Sequence, residues 1–183
     1  MSEPAATVAA ELETARLRLR AWRPDDLTPF AALNADPEVT RHLQGRPLSR
    51  AESDDLAARI AAHWRERGFG LWAVELKADG RMVGFAGLAV PAFLPAVLPA
   101  VEVGWRLARD VWGRGLATEA GRASLEQGFG ALGLDRVVSI IRPANAASRR
   151  VAEKLGLELE RTLPHPVGGE VCVYARRGGA VSG

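Results

Sequence analysis

Cysteine is almost absent from these 183 residues. Cys172 stands alone, which excludes a disulfide framework and a cysteine-rich metal site within one chain. A reducing cytoplasm is the simplest setting for such a sequence. No charge of either sign dominates: 24 lysines and arginines face 22 aspartates and glutamates, for a net charge of +2. The arginines are scattered rather than gathered into a stripe, so there is no electrostatic footprint of a nucleic-acid partner. His42, His63 and His165 lack metal-ligand spacing, and no metal is expected. Neither common nucleotide loop is present. G-x-x-x-x-G-K-[ST] is absent, and the residues from Gly113 read Gly-Arg-Gly-Leu-Ala-Thr, which is not G-x-G-x-x-G and argues against a dinucleotide-dependent oxidoreductase.

Long apolar runs are also scarce, with one exception. Met82 to Val101 is 20 residues without a charge, long enough to cross a bilayer. Pro91, Pro95 and Pro99 interrupt it at regular intervals, and each would cost about 3 kcal/mol in a helix interior in water. The stretch therefore reads as a strand, Met82 to Val90, and a proline-rich loop, Ala92 to Ala100, with no membrane span. Met1 to Glu13 carries three glutamates and no positive stretch, so it is expected to be a flexible tail and not a signal peptide. Gly178 to Gly183 is expected to be a second tail. Residues 14–177 are read as a single domain, with 48% hydrophobic and 25% charged residues in the globular range.

Periodicity and capping signals give the element order. Leu17 to Arg20 alternates as a strand, and Pro24-Asp25-Asp26 opens a helix, with both aspartates suited to its first turn. A second helix is predicted from Arg50 to Arg67, with Ser49 and Glu52 as a capping box and Gly68 closing it. Strands Leu71 to Leu76 and Met82 to Val90 flank the Asp79-Gly80 turn signal. The strand Val101 to Leu107 leads through a loop into a long helix ending near Ala131. After it come a strand, Arg136 to Ile141, a helix, Ala146 to Leu155, and two strands, Leu157 to Thr162 and Val171 to Arg176. Antiparallel strands followed by a strand-helix-strand crossover predict a mixed α/β sheet with helices on both faces.

The loop is the richest feature. Trp112-Gly113-Arg114-Gly115-Leu116-Ala117 lies between the strand and the helix-like Thr118 to Gly130. A glycine turn entering a helix brings several unpaired backbone N–H groups and the positive helix end to one point, which makes a cradle for a diphosphate. Further on, Asn145 reads as the N-cap of a helix, with Ser148 on the same helical face.

Trp112 to Ala117 resembles the acyl-CoA pyrophosphate loop, [Q/R]-x-x-G-x-[G/A], of the GNAT superfamily of N-acetyltransferases, with Trp112 in the first position. Asn145 to Gly156 resembles N-x-x-S-x-x-[VL]-x-x-K-x-G, a block of its RimJ/RimL-like branch, and the likeness runs from about Leu17 to Arg176. The resemblance implies a largely antiparallel sheet of about six or seven strands with a splayed central pair. Acetyl-CoA would be the co-substrate, with its pantetheine arm in the splay. Backbone groups near Trp105, Arg106 and Leu107 would pair with the arm, Gly113, Arg114, Gly115, Leu116, Ala117 and Thr118 would hold the diphosphate, and Asn145 would contact the pantetheine region. The Arg114 side chain reaches either a phosphate or solvent, and Asn145 can cap its helix with or without a ligand contact. Trp105 and Trp112 read as packing residues rather than stacking platforms.

The acceptor implied is a primary amine, on a small molecule or a protein N-terminus, attacking directly in a ternary complex. Neutralising an α-amine at pH 7 costs about 1.4 kcal/mol, against nearly 5 for a lysine. Glu102 is the candidate base, on one strand face with Gly104 and Arg106; the alternative is a Glu102–Arg106 surface pair. A glutamate used by some relatives, five residues before the Asn, is Ile140 here, and a tyrosine common seven residues after it is Ala152. Ser148 and Tyr174 remain as acids, although a helix-face hydroxyl and a core tyrosine are their alternatives. Cys172 reads as a small buried hydrophobe. Acceptor choice is expected from Leu27 to Arg67 and Pro91 to Pro99. Self-association as a homodimer is compatible with the sequence. With those two family positions substituted, a non-catalytic acyl-CoA-binding module on the same fold is the competing reading.

Overall fold

The computed structural model describes residues 8–179. Eight strands form one sheet: β1 Leu12–Glu13, β2 Leu17–Arg20, β3 Leu71–Leu76, β4 Met82–Ala89, β5 Val101–Leu107, β6 Arg136–Ile141, β7 Glu158–Pro164 and β8 Glu170–Arg177. Their order is β1-β2-β3-β4-β5-β6-β8-β7, and β5–β6 is the parallel pair among antiparallel neighbours. The helices are α1 Leu27–Asn34, α2 Pro37–Thr40, α3 Arg50–Arg67, α4 Leu116–Phe129 and α5 Ala146–Lys154. The mixed α/β architecture matches the expectation.

Local chemistry sets most boundaries. Ser49 Oγ accepts from the Glu52 amide while the Glu52 carboxylate accepts from the Ser49 amide, and Gly68 at φ 73° ends α3 in the left-handed conformation. Gly80, at φ 70°, turns β3 back into β4. The uncharged stretch is a strand and a loop as expected, with a short 3-10 turn at Pro95–Val97. Among the described residues, no helix is long and apolar enough to cross a membrane.

Two elements were not anticipated. The two-residue β1 exists through pairing with β2, a partner that no local periodicity reports. Single-turn α2 is likewise too short for a helical pattern; Asp36 caps it by accepting from the Glu38 amide at 2.8 Å. Residues 8–13 are therefore not a free tail: Val8 is buried, and Trp72 Nε1 donates to the Ala9 carbonyl at 3.1 Å. Residues 1–7 and 180–183 of the expected tails lie outside the described residues.

Alternation along the strands divides the core. On one face Phe85, Ala73 and Met82 pack under Phe30 of α1 and Ile60 of α3. On the other, Val101, Val103 and Val137 meet Leu125 of α4 and Ala152 of α5. One charged cluster is sealed inside. Arg20 grips Asp26 with two bonds of 2.8 Å and Glu75 with a third of 2.6 Å. It ties β2, β3 and the turn that leads into α1, and Asp26 is thus a buried partner of Arg20 as well as a first-turn acid.

Candidate active site

The glycine loop has the geometry its sequence suggested. Gly113 and Gly115 are left-handed at φ 73° and 78°, and Gly115 occupies the N-cap of α4, where no side chain caps the helix. The first α4 bond runs from the Glu119 amide to the Gly115 carbonyl at 3.0 Å. The amides of Leu116, Ala117 and Thr118 therefore point out of the helix end without carbonyl partners. A side chain added at Gly113 would meet only open space. Arg114 is exposed, and its carbonyl is held by Arg16 Nη1 at 2.8 Å. Trp112 is an anchor: its Nε1 donates to the Leu107 carbonyl at 2.8 Å, pinning the loop to the end of β5.

Next to this loop the sheet opens. β5 and β6 are paired at Val101–Val137 and Glu102–Val138 and then part. On the other edge of β5 the ladder to β4 is regular, and the Ala108 amide bonds the Val83 carbonyl at 2.8 Å. Since bonded pairs alternate in an antiparallel ladder, Glu102, Gly104 and Arg106 direct their backbone groups to β4, and Val103, Trp105 and Leu107 direct theirs into the gap. Trp105 and Leu107 lie where the sequence placed them. Arg106 does not: its amide faces β4, and its side chain leaves on the α1 side of the sheet. Val103, which sequence reasoning passed over, takes its place, and only the identity of the strand pairing the far edge reveals it.

Glu102 spans the parting. Its Oε1 accepts from the Ile140 amide at 3.2 Å, beyond the last paired residue of β6. Burial pushes its carboxyl up to about 7, against the pull of that one amide. The anticipated Glu102–Arg106 pair does not form, because Arg106 Nη1 donates to Asn34 Oδ1 on α1 at 2.6 Å. Glu102 opens instead onto a cavity of about 450 Å³ that Ser148 and Asn145 also line.

Asn145 caps α5, its Oδ1 accepting from the Ser148 amide at 3.1 Å. The Ser148 hydroxyl makes no bond back to a preceding carbonyl among the described residues and faces the cavity. Tyr174, the other acid candidate, is not brought to the cavity. It is buried in the core beneath α4 and α5, and its hydroxyl accepts from Arg149 Nε at 2.9 Å. Cys172 is buried in the same core. Ser139, opposite Tyr174 in the β6–β8 ladder, is a buried hydroxyl on the cavity wall that the sequence analysis missed. Its one signal was a lone polar residue inside the apolar run Val137 to Ile141.

The outer walls come partly from the expected segments, with His42 and Leu43 after α2 and Phe93 from the proline loop. They also come from the β7–β8 turn, which was not expected. His165 of that turn lies 5.8 Å from Phe93, ring centre to ring centre, closing one side of the cavity mouth.

Comparison with known proteins agrees with this geometry. Residues 16–158 match the family model described as Acetyltransferase (GNAT) domain. The uncharacterized protein YkkB of Bacillus subtilis is 34% identical over 84% of this chain and 88% of its own length. The uncharacterized N-acetyltransferase YoaA of the same organism is 28% identical over 83% and 85% of the two chains. Among solved structures, an acetyltransferase from Agrobacterium tumefaciens superposes with a TM-score of 0.80 at 29% identity, covering 97% of this chain and 99% of its own. With a glycine loop of free amides, a parted strand pair beside it and a family match over most of its length, this chain belongs to the GNAT acetyltransferase family.

Proposed function

We propose that the chain transfers an acetyl group from acetyl-CoA to a primary amine by direct attack in a ternary complex, as an enzyme of the RimJ/RimL-like branch. The observation that carries this reading is the parting of β5 from β6 at Glu102, one strand's length from the glycine loop. The residues suit the co-substrate: unpartnered amides at Leu116, Ala117 and Thr118 for a diphosphate, and the backbone groups of Val103 and Trp105, with the Leu107 amide, for an extended amide-bearing arm, the Leu107 carbonyl being held by Trp112. When bound, acetyl-CoA supplies an activated thioester carbonyl.

Glu102 receives the proton that the acceptor ammonium must lose. With its carboxyl near 7, transfer from an α-ammonium of pKa about 8 is uphill by roughly 1.4 kcal/mol, and from a lysine by roughly 4.6. That difference favours an α-amine, such as a peptide N-terminus, over a lysine side chain. Ser148 places a hydroxyl donor on the cavity wall at the positive end of α5, where a departing thiolate gains a proton.

The test is mass spectrometry of an amine and peptide panel incubated with protein and acetyl-CoA, with thiol release followed in parallel. Mass gain of one acetyl group on an amine is the expected result. CoA binding without thiol release or product would instead make the chain a binding module. Acetyl-CoA at a hundred times its Kd should stabilise the protein by about 2.7 kcal/mol.

A further inference from the structure

Among the described residues, Arg106 is a cation without a counter-charge. Its side chain borders the cavity on the same sheet face as Glu102. Nη1 donates to Asn34 Oδ1, and Asn34, itself buried, is locked in orientation because its Nδ2 donates to Ser53 Oγ at 2.9 Å. The guanidinium lies over the Phe85 ring, 5.3 Å from its centre. Nε is sealed from solvent with no hydrogen-bond partner, and among the described residues no carboxylate pairs with the group. Burial pulls its pKa down to about 10, which still leaves it charged at neutral pH.

A half-buried guanidinium with its Nε sealed, held in place by a fixed amide, stacked on an aromatic ring and lacking an anion is costly for the folded protein alone. The rest of the cavity does not supply the anion. Among the described residues Glu102 is its one lining carboxylate and is tied towards β6; Arg142, a second lining guanidinium, is spent on the carbonyls of Gly168 and Glu170 at 2.6 and 3.5 Å. Nor is the anion the co-substrate's diphosphate: Arg106 leaves β5 on the α1 face, whereas α4 and its amides pack on the face of Val101 and Val103.

Resting on the acetyl-transfer reading of this cavity, we propose that the acceptor is an amine that also bears a carboxylate or another anionic group, and that Arg106 binds that group. Glu102 and Arg106 are four residues apart on one strand, about 13 Å between Cα atoms, and their charged ends are tied in different directions. The amine and the anion must therefore be separated by more than the single carbon of an α-amino acid, as in a short peptide or an ω-amino acid.

Matched amines that differ only in charge test this: di- and triglycine against their C-terminal amides, and ω-amino acids against their ω-amino amides. The wild type is expected to acetylate the acid of a pair at least tenfold more efficiently in kcat/KM, with the preference falling to near unity in Arg106→Gln and partly surviving in Arg106→Lys. No preference in the wild type, or one that persists in Arg106→Gln, overturns the proposal. So does an Arg106→Gln variant that weakens CoA binding and keeps the preference. Melting of the CoA-bound wild type with each pair gives a second readout that needs no turnover. A shift produced by the acids alone supports anion recognition even if no amine is acetylated and the transfer reading fails; equal shifts, or none, overturn it.

Discussion

Arg16 and Glu119 lie 2.7 Å apart, joining the residue before β2 to the first turn of α4. The Glu119 carboxylate also accepts from Thr14 Oγ1 at 2.6 Å and from the Arg16 amide at 2.8 Å, while the same guanidinium holds the Arg114 carbonyl. Burial works to raise the Glu119 pKa, but the bonds from Thr14 and Arg16 hold it below the ordinary carboxylate value. An acid beside the glycine loop is thereby charge-compensated and made into a brace. The short segment ahead of β2 thus helps to shape the loop.

Arg16→Ala should therefore weaken acetyl-CoA binding. Arg16 is half exposed, so the screened contribution is about 1 kcal/mol, or roughly fivefold in Kd. Titration calorimetry checks this, and kcat at saturating acetyl-CoA should change little. An unchanged Kd would mean that the loop keeps its shape without the brace.

Glu102 carries opposite consequences for rate and stability. Glu102→Gln keeps an acceptor for the Ile140 amide but no base, so kcat/KM should fall by about 10²–10⁴-fold at pH 8. The wild-type rate should rise through an apparent pKa near 7, an inflection that the variant lacks. Because folding raises this pKa, the protonated form stabilises the protein, and that contribution is lost as pH rises through about 7. Gln cannot ionise. The variant should be more stable than wild type by about 1–3 kcal/mol at pH 8 and hardly at all at pH 4, which denaturation at both pH values would reveal.

Ser148 and Tyr174 should separate cleanly. Ser148→Ala is expected to lower kcat about tenfold or more while leaving the melting temperature nearly unchanged. Tyr174→Phe deletes a buried bond to Arg149 and should cost about 1 kcal/mol of stability with kcat retained. Paired turnover and melting measurements decide the point; loss of turnover in Tyr174→Phe would return it to the mechanism.

The buried Arg20 cluster should make the fold acid-sensitive. Burial pushes Asp26 and Glu75 upward, but Arg20, helped by Arg23 at Asp26 and by Arg18 at Glu75, more than offsets this and both end below their ordinary values. Depressed carboxylates contribute stability above their unfolded pKa values near 4, and that stability is lost as pH falls through the lower folded values. Removing the cation leaves buried Asp26 with the Arg23 amide alone and Glu75 with Arg18 as its main partner, so Arg20→Ala should cost about 3 kcal/mol at pH 7 and much less at pH 3. Urea denaturation of both proteins at the two pH values is the measurement.

Arg20 also marks where sequence reading stops. Leu17 to Arg20 alternates as a strand with one apolar face, yet Arg20 is buried with its neighbours because Glu75 and Asp26 meet it from the other side. The capping box of α3, the Asp79-Gly80 turn, the Asn145 cap and the left-handed glycines of the α4 loop were all legible in the sequence. In each the interacting groups lie within about four residues, so backbone stereochemistry and hydrogen-bond capacity fix them locally.

The cavity is of another kind. His42, Glu102, Ser139 and His165 meet there because β5 and β6, far apart in the chain, pair briefly and then part. Strand order and register decide which face Arg106 takes, whether Ser139 sees the gap and whether Tyr174 reaches it. These depend on side chains burying against partners that the one-dimensional pattern does not name, so the sequence determined the loop and the longer elements, and tertiary packing decided β1 and what stands opposite each element.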